Sequence, residues 1–270
     1  MRRFTGLLMI IALAFGAVGC GDDGTDAAAS SPEAASTTPD LGLITPGTLS
    51  VASDIPYAPF ELTEPGSPEV VGFDVDLVKA IAATLGITDV QFKDQVFDNI
   101  ILGIKQGRFD MSASSWTITP ERAKEVAFGD PYFSANQAIL VKKGSDVAGL
   151  ADLEGATIGA QRGTVGADLA DDVPGAKVLR YESGDDAFNA LAQGRVDAAI
   201  TDFPVVAYAA AQKPTLEVAA EVPGNLSLGL MFPQSSTALR AAFNTGLAEI
   251  KADGTYDAIY KKWFGTAPPL

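Results

Sequence analysis

The stretch from Ser114 to Arg122 contains the side chains of this sequence that are best suited to bind an anion. Thr119 followed by Pro120 predicts the start of a helix, because a hydroxyl caps a helix and proline favours its first position. The two serines then lie at the carboxyl end of a strand that ends near Met111, and Arg122 lies one turn into the helix. The planar fork of donors on a guanidinium suits a carboxylate. An ordinary strand–helix loop, with Arg122 paired to a neighbouring acid, explains this stretch alone equally well.

A repeated pattern of helix, glycine and strand places a second polar pair at the same offset. The motif Gln-Gly-Arg-x-Asp ends at Asp110 and again at Asp197, and the polar pairs Ser114-Ser115 and Thr201-Asp202 follow at the fourth and fifth positions. Ligands of open α/β sheets bind outside the carboxyl ends of the strands. Two facing halves would place Ser115 and Arg122 opposite Asp202, where they could hold both ends of a zwitterion. The alternative is that the repeat is only a common helix–turn–strand pattern and that Asp202 is only a helix cap.

Two further segments could line the same pocket. Residues 54–61, DIPYAPFE, place an acid and two aromatic rings on a loop in which two prolines prevent a regular helix or central strand. Residues 161–166, QRGTVG, form a glycine turn before a helix, where free N–H groups suit a carboxylate. No Gly-Lys-Ser/Thr follows, so this is not a phosphate loop. A surface loop whose rings cap the core, and a plain turn, are the alternatives.

The elements that must position these residues alternate between strand and helix, which predicts an α/β fold with a largely parallel sheet. Hydrophobic spacing predicts strands at 48–53, 90–92, 157–160 and 226–232. Helices are predicted at 72–85, 97–106, from about 167, at 235–250 and at 256–264. The chain is expected to cross between its halves twice, near 133–137 and near 230–234. Two parallel crossings form a hinge.

Composition excludes several classes of site. The chain has 270 residues and is 47% hydrophobic, which suffices for one large domain or two small ones. A net charge of -15 without a basic run makes nucleic acid a poor partner. Histidine is absent from the sequence, which excludes histidine-based triads and most catalytic zinc sites. The single cysteine excludes intramolecular disulfides and cysteine metal clusters. We therefore expect neither a metal nor a cofactor.

The first 46 residues predict an export signal followed by a tether. Arg2-Arg3 precede an apolar run, Leu7–Val18, that is too short for a membrane-spanning helix. Gly19-Cys20 then resembles the end of a bacterial lipoprotein signal, over residues 1–20, in which Cys20 is lipidated. A cleaved signal or an unprocessed anchor are the alternatives. Residues 21–46 are rich in Asp, Ala, Ser, Thr and Pro and predict a flexible acidic tether.

Several motifs together resemble those of the polar amino-acid solute-binding proteins of ABC importers, bacterial solute-binding protein family 3. They are YAPFE at 57–61, GFDVDL at 72–77, ITPER at 118–122, DAA at 197–199 and GTYDAIYKKWFG at 254–265. The resemblance covers about residues 48–265. It implies a two-lobed periplasmic-binding-protein fold of type II with two hinge crossings. Lobe 1 is expected at 47–135 plus 233–268, and lobe 2 at 136–232.

The resemblance also implies roles for the two ends of an amino acid. Arg122 would bind the α-carboxylate, helped by Thr117 and by Thr164 with its neighbouring backbone N–H groups. Asp202 would bind the α-ammonium, assisted by Ser115.

For the ligand side chain, the resemblance implies that Asp54 and Gln161 face it. A carboxylate at Asp54 favours a cationic or amide side chain and disfavours an acidic one. Arg162 lies beside this loop, and it would reverse that preference if it turned inward. The wall of the pocket would consist of Tyr57, Phe97 and Trp116.

The expected function is that of a monomeric, non-enzymatic receptor that delivers a polar amino acid to the permease subunits of an ABC importer. It would be attached by its N-terminal lipid to the outer face of the cell membrane, in a periplasm or at a cell surface. One alternative is a cyclohexadienyl-dehydratase-like enzyme on the same fold, which would need Asp54 or another acid as general acid or base. A ligand-sensing partner of a signalling receptor is another.

Overall fold

The computed structural model describes residues 40–64 and 66–269. The chain from Asp40 onward forms one compact unit. Among the described residues, no helix combines the length and the apolar composition needed to span a bilayer. The predicted signal peptide, the predicted lipid on Cys20 and the tether up to residue 39 lie outside the described residues.

The strands and helices alternate along most of the described chain. In chain order the strands are β1 Thr48–Ser53, β2 Leu62–Thr63, β3 Val70–Val71, β4 Asp89–Asp94, β5 Met111–Ser112, β6 Ala127–Phe128, β7 Phe133–Ser134, β8 Gln137–Lys142, β9 Thr157–Gln161, β10 Lys177–Tyr181, β11 Ala198–Asp202, β12 Leu216–Val222, β13 Ser227–Leu228 and β14 Met231–Phe232. The helices are α1 Phe73–Thr84, α2 Phe97–Lys105, α3 Pro120–Glu125, α4 Val165–Asp171, α5 Gly184–Ala192, α6 Phe203–Gln212, α7 Thr237–Ala252 and α8 Thr255–Phe264, with a 3₁₀ turn at Leu150–Leu153.

Two five-stranded sheets define two lobes. The order in lobe 1 is β4-β1-β5-β14-β6, and the order in lobe 2 is β10-β9-β11-β8-β12. Each sheet has one strand that runs against the others, β14 in lobe 1 and β8 in lobe 2. These are the strands that follow the two crossings between the lobes. The prediction of α/β lobes with largely parallel sheets is confirmed.

The hinge consists of two short strands that lie side by side. Strand β7 pairs with β13 in antiparallel fashion, and Tyr132 N–H donates to Leu228 O at 3.0 Å. The first crossing lies where it was expected. The second crossing was expected at 230–234, which is wrong, because Met231–Phe232 already pairs with strands of lobe 1. The strand predicted over 226–232 is accordingly two short strands separated by Gly229 and Leu230.

The larger core confirms the predicted helix faces. Leu77 and Ile81 of α1, and Phe243 and Leu247 of α7, are all buried. The two helices approach closely at Gly246, where a Cβ would lie 3.0 Å from Ile81 Cγ2. The side-chain spacing of four that predicted these faces therefore positions α1 and α7 on lobe 1.

The end of the predicted tether belongs to the folded body. Leu41 and Leu43 pack against the larger core, and Ile44 N–H donates to Asp110 Oδ1 at 2.8 Å. The prediction that the tether extends to residue 46 is therefore wrong at its carboxyl end.

The repeated Gln-Gly-Arg-x-Asp motif builds the same junction in each lobe. Asp110 Oδ2 accepts a hydrogen bond from Ser50 N–H at 2.8 Å, and Asp110 N–H donates to Ser50 O at 3.1 Å. In lobe 2, Asp197 Oδ2 accepts from Thr157 N–H at 2.8 Å, and Asp197 N–H donates to Thr157 O at 2.7 Å. Each aspartate thus ties the returning chain to the neighbouring parallel strand of its sheet, β1 in lobe 1 and β9 in lobe 2. The strand of the first copy was expected to end near Met111, which is wrong, because β5 begins at Met111 and ends at Ser112.

We expect Asp110→Asn to lower the free energy of unfolding by about 1–3 kcal/mol, because Asp110 is buried and one of its two hydrogen-bonded carboxylate oxygens becomes an NH₂ group. Chemical denaturation of both proteins measures this. Asp197→Asn is the matched control and should lower the free energy of unfolding by less, since the hydrogen bond between Asp197 and Thr157 is exposed. Equal stability of Asp110→Asn and the parent would contradict the assigned role of the motif.

Candidate ligand-binding site

A small cavity lies between the carboxyl ends of the strands of the two lobes. The residues that line it are Tyr57, Phe97, Ser114, Ser115, Thr117, Arg122, Gln137, Gln161, Thr164, Val165, Thr201 and Asp202. The set includes every ligand-contacting residue predicted from the sequence except Asp54 and Trp116. The matched polar pairs that follow Asp110 and Asp197 therefore meet at one place.

The loop and helix that hold Arg122 form as predicted. Thr119 Oγ1 accepts a hydrogen bond from Arg122 N–H at 3.2 Å and caps α3, with Pro120 at the first helical position. Ser115, in the preceding loop, has a φ of 48°, in the left-handed region that side chains other than glycine rarely adopt. This turn directs the chain from the strand β5 into the cavity.

The Arg122 guanidinium connects the two lobes. Its Nη1 donates to Thr117 O at 2.8 Å within lobe 1, and its Nη2 donates to Gly163 O at 2.9 Å in lobe 2. The guanidinium carbon lies 4.9 Å from the ring centre of Trp116 and 5.6 Å from that of Phe97. Burial lowers the pKa of Arg122, although this group stays charged at neutral pH. The remaining guanidinium N–H groups can donate hydrogen bonds to an anion.

The predicted aromatic wall has two layers. Phe97 lines the cavity, and Trp116 stacks on Phe97 with ring centres 4.2 Å apart. Trp116 is buried, and its Nε1–H donates to Ser112 Oγ at 2.8 Å. The expectation that Trp116 lines the pocket is therefore not met, because Phe97 and Arg122 cover its ring.

Asp202 is the last residue of β11 and lies opposite lobe 1. Its Oδ2 accepts from Tyr57 O–H at 2.6 Å, across the lobe interface, and its Oδ1 accepts from Gln137 Nε2–H at 2.5 Å. Burial raises the pKa of Asp202 to about 6, although these two donors and the charge of Arg122 act in the opposite direction. A nearby cation would therefore stabilise the ionised form of Asp202.

Two polar atoms of the cavity lining are buried and make no hydrogen bond to the described residues. Ser115 Oγ and Gln137 Oε1 have no hydrogen-bond partner within the described residues. Both residues line the cavity. A buried polar atom is stabilised when a donor or acceptor reaches it, so a polar ligand can supply the missing hydrogen bonds.

Asp54 and Gln161 lie at the side of the cavity and bind each other across the lobes. Gln161 Nε2–H donates to Asp54 Oδ2 at 2.6 Å and to Glu182 O at 2.9 Å. Asp54 is buried and does not line the cavity, because the Gln161 amide covers it. Burial raises the pKa of Asp54 to about 6, and the hydrogen bond from Gln161 acts against this.

Arg162 points away from the cavity. Its Nη1 lies 3.3 Å from Asp98 Oδ2, and half of its side chain is exposed. Arg162 therefore does not reverse the side-chain preference that Asp54 implies.

Four lining residues were not among those predicted from the sequence: Ser114, Gln137, Val165 and Thr201. Ser114 and Thr201 are the first members of the two matched polar pairs, so the repeat already indicated their position. Gln137 begins β8 and is followed by the apolar run AILV. A buried amide at the start of an apolar strand, directly after the hinge, was the signal that could have identified it.

Comparisons with known proteins identify relatives of this chain in sequence and in fold. The family model for bacterial extracellular solute-binding proteins, family 3, matches residues 49–266. The ABC transporter glutamine-binding protein GlnH of Bacillus subtilis (strain 168) is 34% identical over 213 residues, which are 77% of this chain and 78% of that protein. Two solved structures are also similar. An ancestral arginine-binding protein bound to arginine has a TM-score of 0.77 and 40% identity, covering 81% of this chain and 99% of that one.

The second structure is the ancestral amino acid-binding protein AncCDT-1, described as a precursor of cyclohexadienyl dehydratase. It has a TM-score of 0.74 and 38% identity, and the match covers 81% of this chain and 95% of that one. The predicted two-lobed periplasmic-binding-protein fold is confirmed by these neighbours. Because the family model spans more than half of the sequence, this chain belongs to the bacterial extracellular solute-binding proteins, family 3.

Proposed function

We propose that this protein is the extracytoplasmic receptor of an amino-acid ABC importer and binds an L-amino acid with a cationic or amide side chain. One observation carries the proposal: a half-buried guanidinium and a buried carboxylate, Arg122 and Asp202, line one cavity from opposite lobes. A zwitterion is complementary to this arrangement. Its carboxylate would bind the free N–H groups of Arg122, and its ammonium would bind Asp202 and the unpartnered Ser115 Oγ.

The side-chain preference follows from Asp54. Its carboxylate holds the Gln161 amide in the closed cleft, and a guanidinium, ammonium or amide of the ligand could replace that donor. An acidic ligand side chain would meet a second negative charge in a site with little water. The similarity to a glutamine-binding protein and to an arginine-binding protein supports an amide or a cation.

We also propose that Cys20 carries the lipid anchor and that residues 21–39 connect it to the body. The apolar run Leu7–Val18 followed by Gly19-Cys20 supports this. We expect Cys20→Ser to move the protein from the membrane fraction to the soluble extracytoplasmic fraction, because a lipid chain is what holds it there. Immunoblotting of fractions measures this, with Ser30→Ala as the control. An unchanged membrane fraction for Cys20→Ser protein from which residues 1–19 have been removed would contradict the anchor.

A dehydratase acting on a cyclic acid is a second candidate. The similarity to AncCDT-1 favours it, as does a raised pKa of about 6 at Asp54, which suits a general acid or base. The two functions are separated by incubating the protein with a cyclohexadienyl acid. Turnover that is lost in Asp54→Asn would overturn the purely receptor function.

Calorimetric titration with each common amino acid tests the receptor function. We expect one cationic or amide amino acid to bind one-to-one. Arg122→Ala and Asp202→Ala should each weaken binding by about 30-fold to several thousand-fold, because removing one partner of a buried charge pair costs about 2–5 kcal/mol. Arg195→Ala and Asp257→Ala, at exposed positions, are the matched controls. If Arg122→Ala or Asp202→Ala binds with the affinity of the parent, the role assigned to that residue is contradicted.

Asp54→Asn should change specificity rather than abolish binding. We expect its affinity for arginine to fall by about tenfold or more, while its affinity for glutamine changes less, because only the cation loses an ion pair. Competition between the two amino acids for the parent and the variant measures the ratio. Tight binding of glutamate by the parent would show that the charge argument is wrong.

Affinity should depend on pH through Asp202. Binding of the ammonium favours the ionised carboxylate, so the pKa of Asp202, about 6 without ligand, falls on binding. The contribution of Asp202 to affinity is then constant above about pH 6 and decreases below it, by up to about tenfold per pH unit for one linked proton. Titrations with glutamine between neutral and acid pH measure this. An affinity that rises on acidification would contradict the role of Asp202.

A further inference from the structure

Two fully buried carboxyl groups lie behind the cavity in lobe 1. Glu61 and Asp74 have no exposed surface, and neither lines the cavity. The backbone holds their segments together, since Asp74 N–H donates to Phe60 O at 3.1 Å. Gly72 makes this approach possible: it has a φ of 146°, and a Cβ there would lie 1.9 Å from Phe60 O. The two acids are therefore fixed beside each other by the fold.

In each carboxyl group, one oxygen accepts hydrogen bonds and the other accepts none from the described residues. Ser114 Oγ–H donates to Glu61 Oε1 at 2.8 Å. Ser115 N–H and Tyr132 O–H donate to Asp74 Oδ2 at 2.9 and 2.8 Å. Glu61 Oε2 and Asp74 Oδ1 are buried and have no partner within the described residues. Two ionised carboxylates buried in neighbouring segments without a cation are strongly unfavourable, and one retained proton removes the repulsion between them.

We propose that Glu61 and Asp74 share one proton, carried by Glu61, and that this pair positions Ser114 and Ser115 for ligand binding. Asp74 is the ionised member because two donors stabilise its charge, whereas Glu61 has one. The positioning of the ligand rests on the proposed function, but the shared proton does not.

The electrostatic surroundings favour retention of the proton. Burial raises the pKa of Glu61 well above its ordinary value, and the charge of Asp74 raises it further. Burial also raises the pKa of Asp74, to about 7, against its two donors. The charged and titratable groups that act on the pair are Asp54, Asp202, Tyr57, Tyr132 and Tyr256. The acids in this set add to the repulsion that a second ionised carboxyl would meet.

The pair joins the ligand loop to the hinge. Asp74 Oδ2 holds Ser115 N–H and so supports the left-handed backbone of that residue. The same oxygen holds Tyr132, whose N–H donates to Leu228 O of the second crossing. On the other side, Ser114 Oγ accepts from Asp54 N–H at 3.0 Å. Loss of the proton would therefore disturb the ammonium subsite, the side-chain subsite and the hinge together.

Infrared spectroscopy of the ligand-free protein tests the proton directly. At pH 8.5, Asp54 and Asp202 are ionised, and we expect one carboxylic-acid C=O stretching band to remain. Labelling of glutamate side chains with ¹³C should shift this band, which identifies its residue type without any substitution. The band should be absent in Glu61→Gln, in which the amide N–H replaces the acid O–H, and present in the exposed control Glu249→Gln. Absence of the band in the parent, or its persistence in Glu61→Gln, would overturn the proposal.

Two pH profiles test the positioning role. Because the folded-state pKa of Glu61 is raised, the parent should lose stability as pH rises above the ordinary value of 4.5, and Glu61→Gln should lose less. At the pH values at which the infrared band of the parent disappears, the parent should lose affinity for the amino acid found by calorimetry more steeply than Glu61→Gln does. Identical profiles for the two proteins would overturn the role. If no amino acid binds, the proposed function fails, while the infrared result still decides whether the proton is shared.

Discussion

The removal of opposite charges from water at the interface of two lobes is the constraint on which this structure depends. Arg122 lies half-buried in lobe 1, Asp202 lies buried in lobe 2, and both line the cavity of the closed cleft. The closed cleft satisfies them with carbonyl oxygens, the Tyr57 hydroxyl and the Gln137 amide rather than with a counter-ion. A buried charge gains most from a partner of opposite sign. A zwitterion between the lobes would supply both partners at once, which makes closure and binding one event.

The hinge allows such an event because few bonds hold the two lobes in line. Two short strands, β7 and β13, carry the chain between the lobes, and the single antiparallel strand of each sheet follows a crossing. Rotation about two adjacent strands leaves both sheets intact. The interlobe contacts are side chains at the cleft mouth and floor, such as Arg162 with Asp98 and Gln161 with Asp54.

Much of this arrangement could be predicted from the sequence, because it depends on local patterns. Helix faces follow from spacing, and the matched offsets after Asp110 and Asp197 indicated that two polar pairs face one cleft. What could not be predicted depends on contacts between distant segments. The second crossing lies earlier than expected because Met231 pairs with β5. Trp116 lies behind Phe97 because two rings and a guanidinium stack there. The pairing of Glu61 with Asp74 needs the close approach at Gly72, which spacing alone does not show.

Gly163 has a consequence for how far the lobes approach each other. It has a φ of 77°, its carbonyl holds Arg122, and a Cβ at this position would lie 3.2 Å from Asp98 Cβ of the opposite lobe. The absence of a side chain at residue 163 therefore permits this close approach of the two lobes. A larger residue there would act as a wedge, and a graded series of side chains at this one position would convert the protein into a set of receptors that differ in resting aperture while keeping the same binding groups.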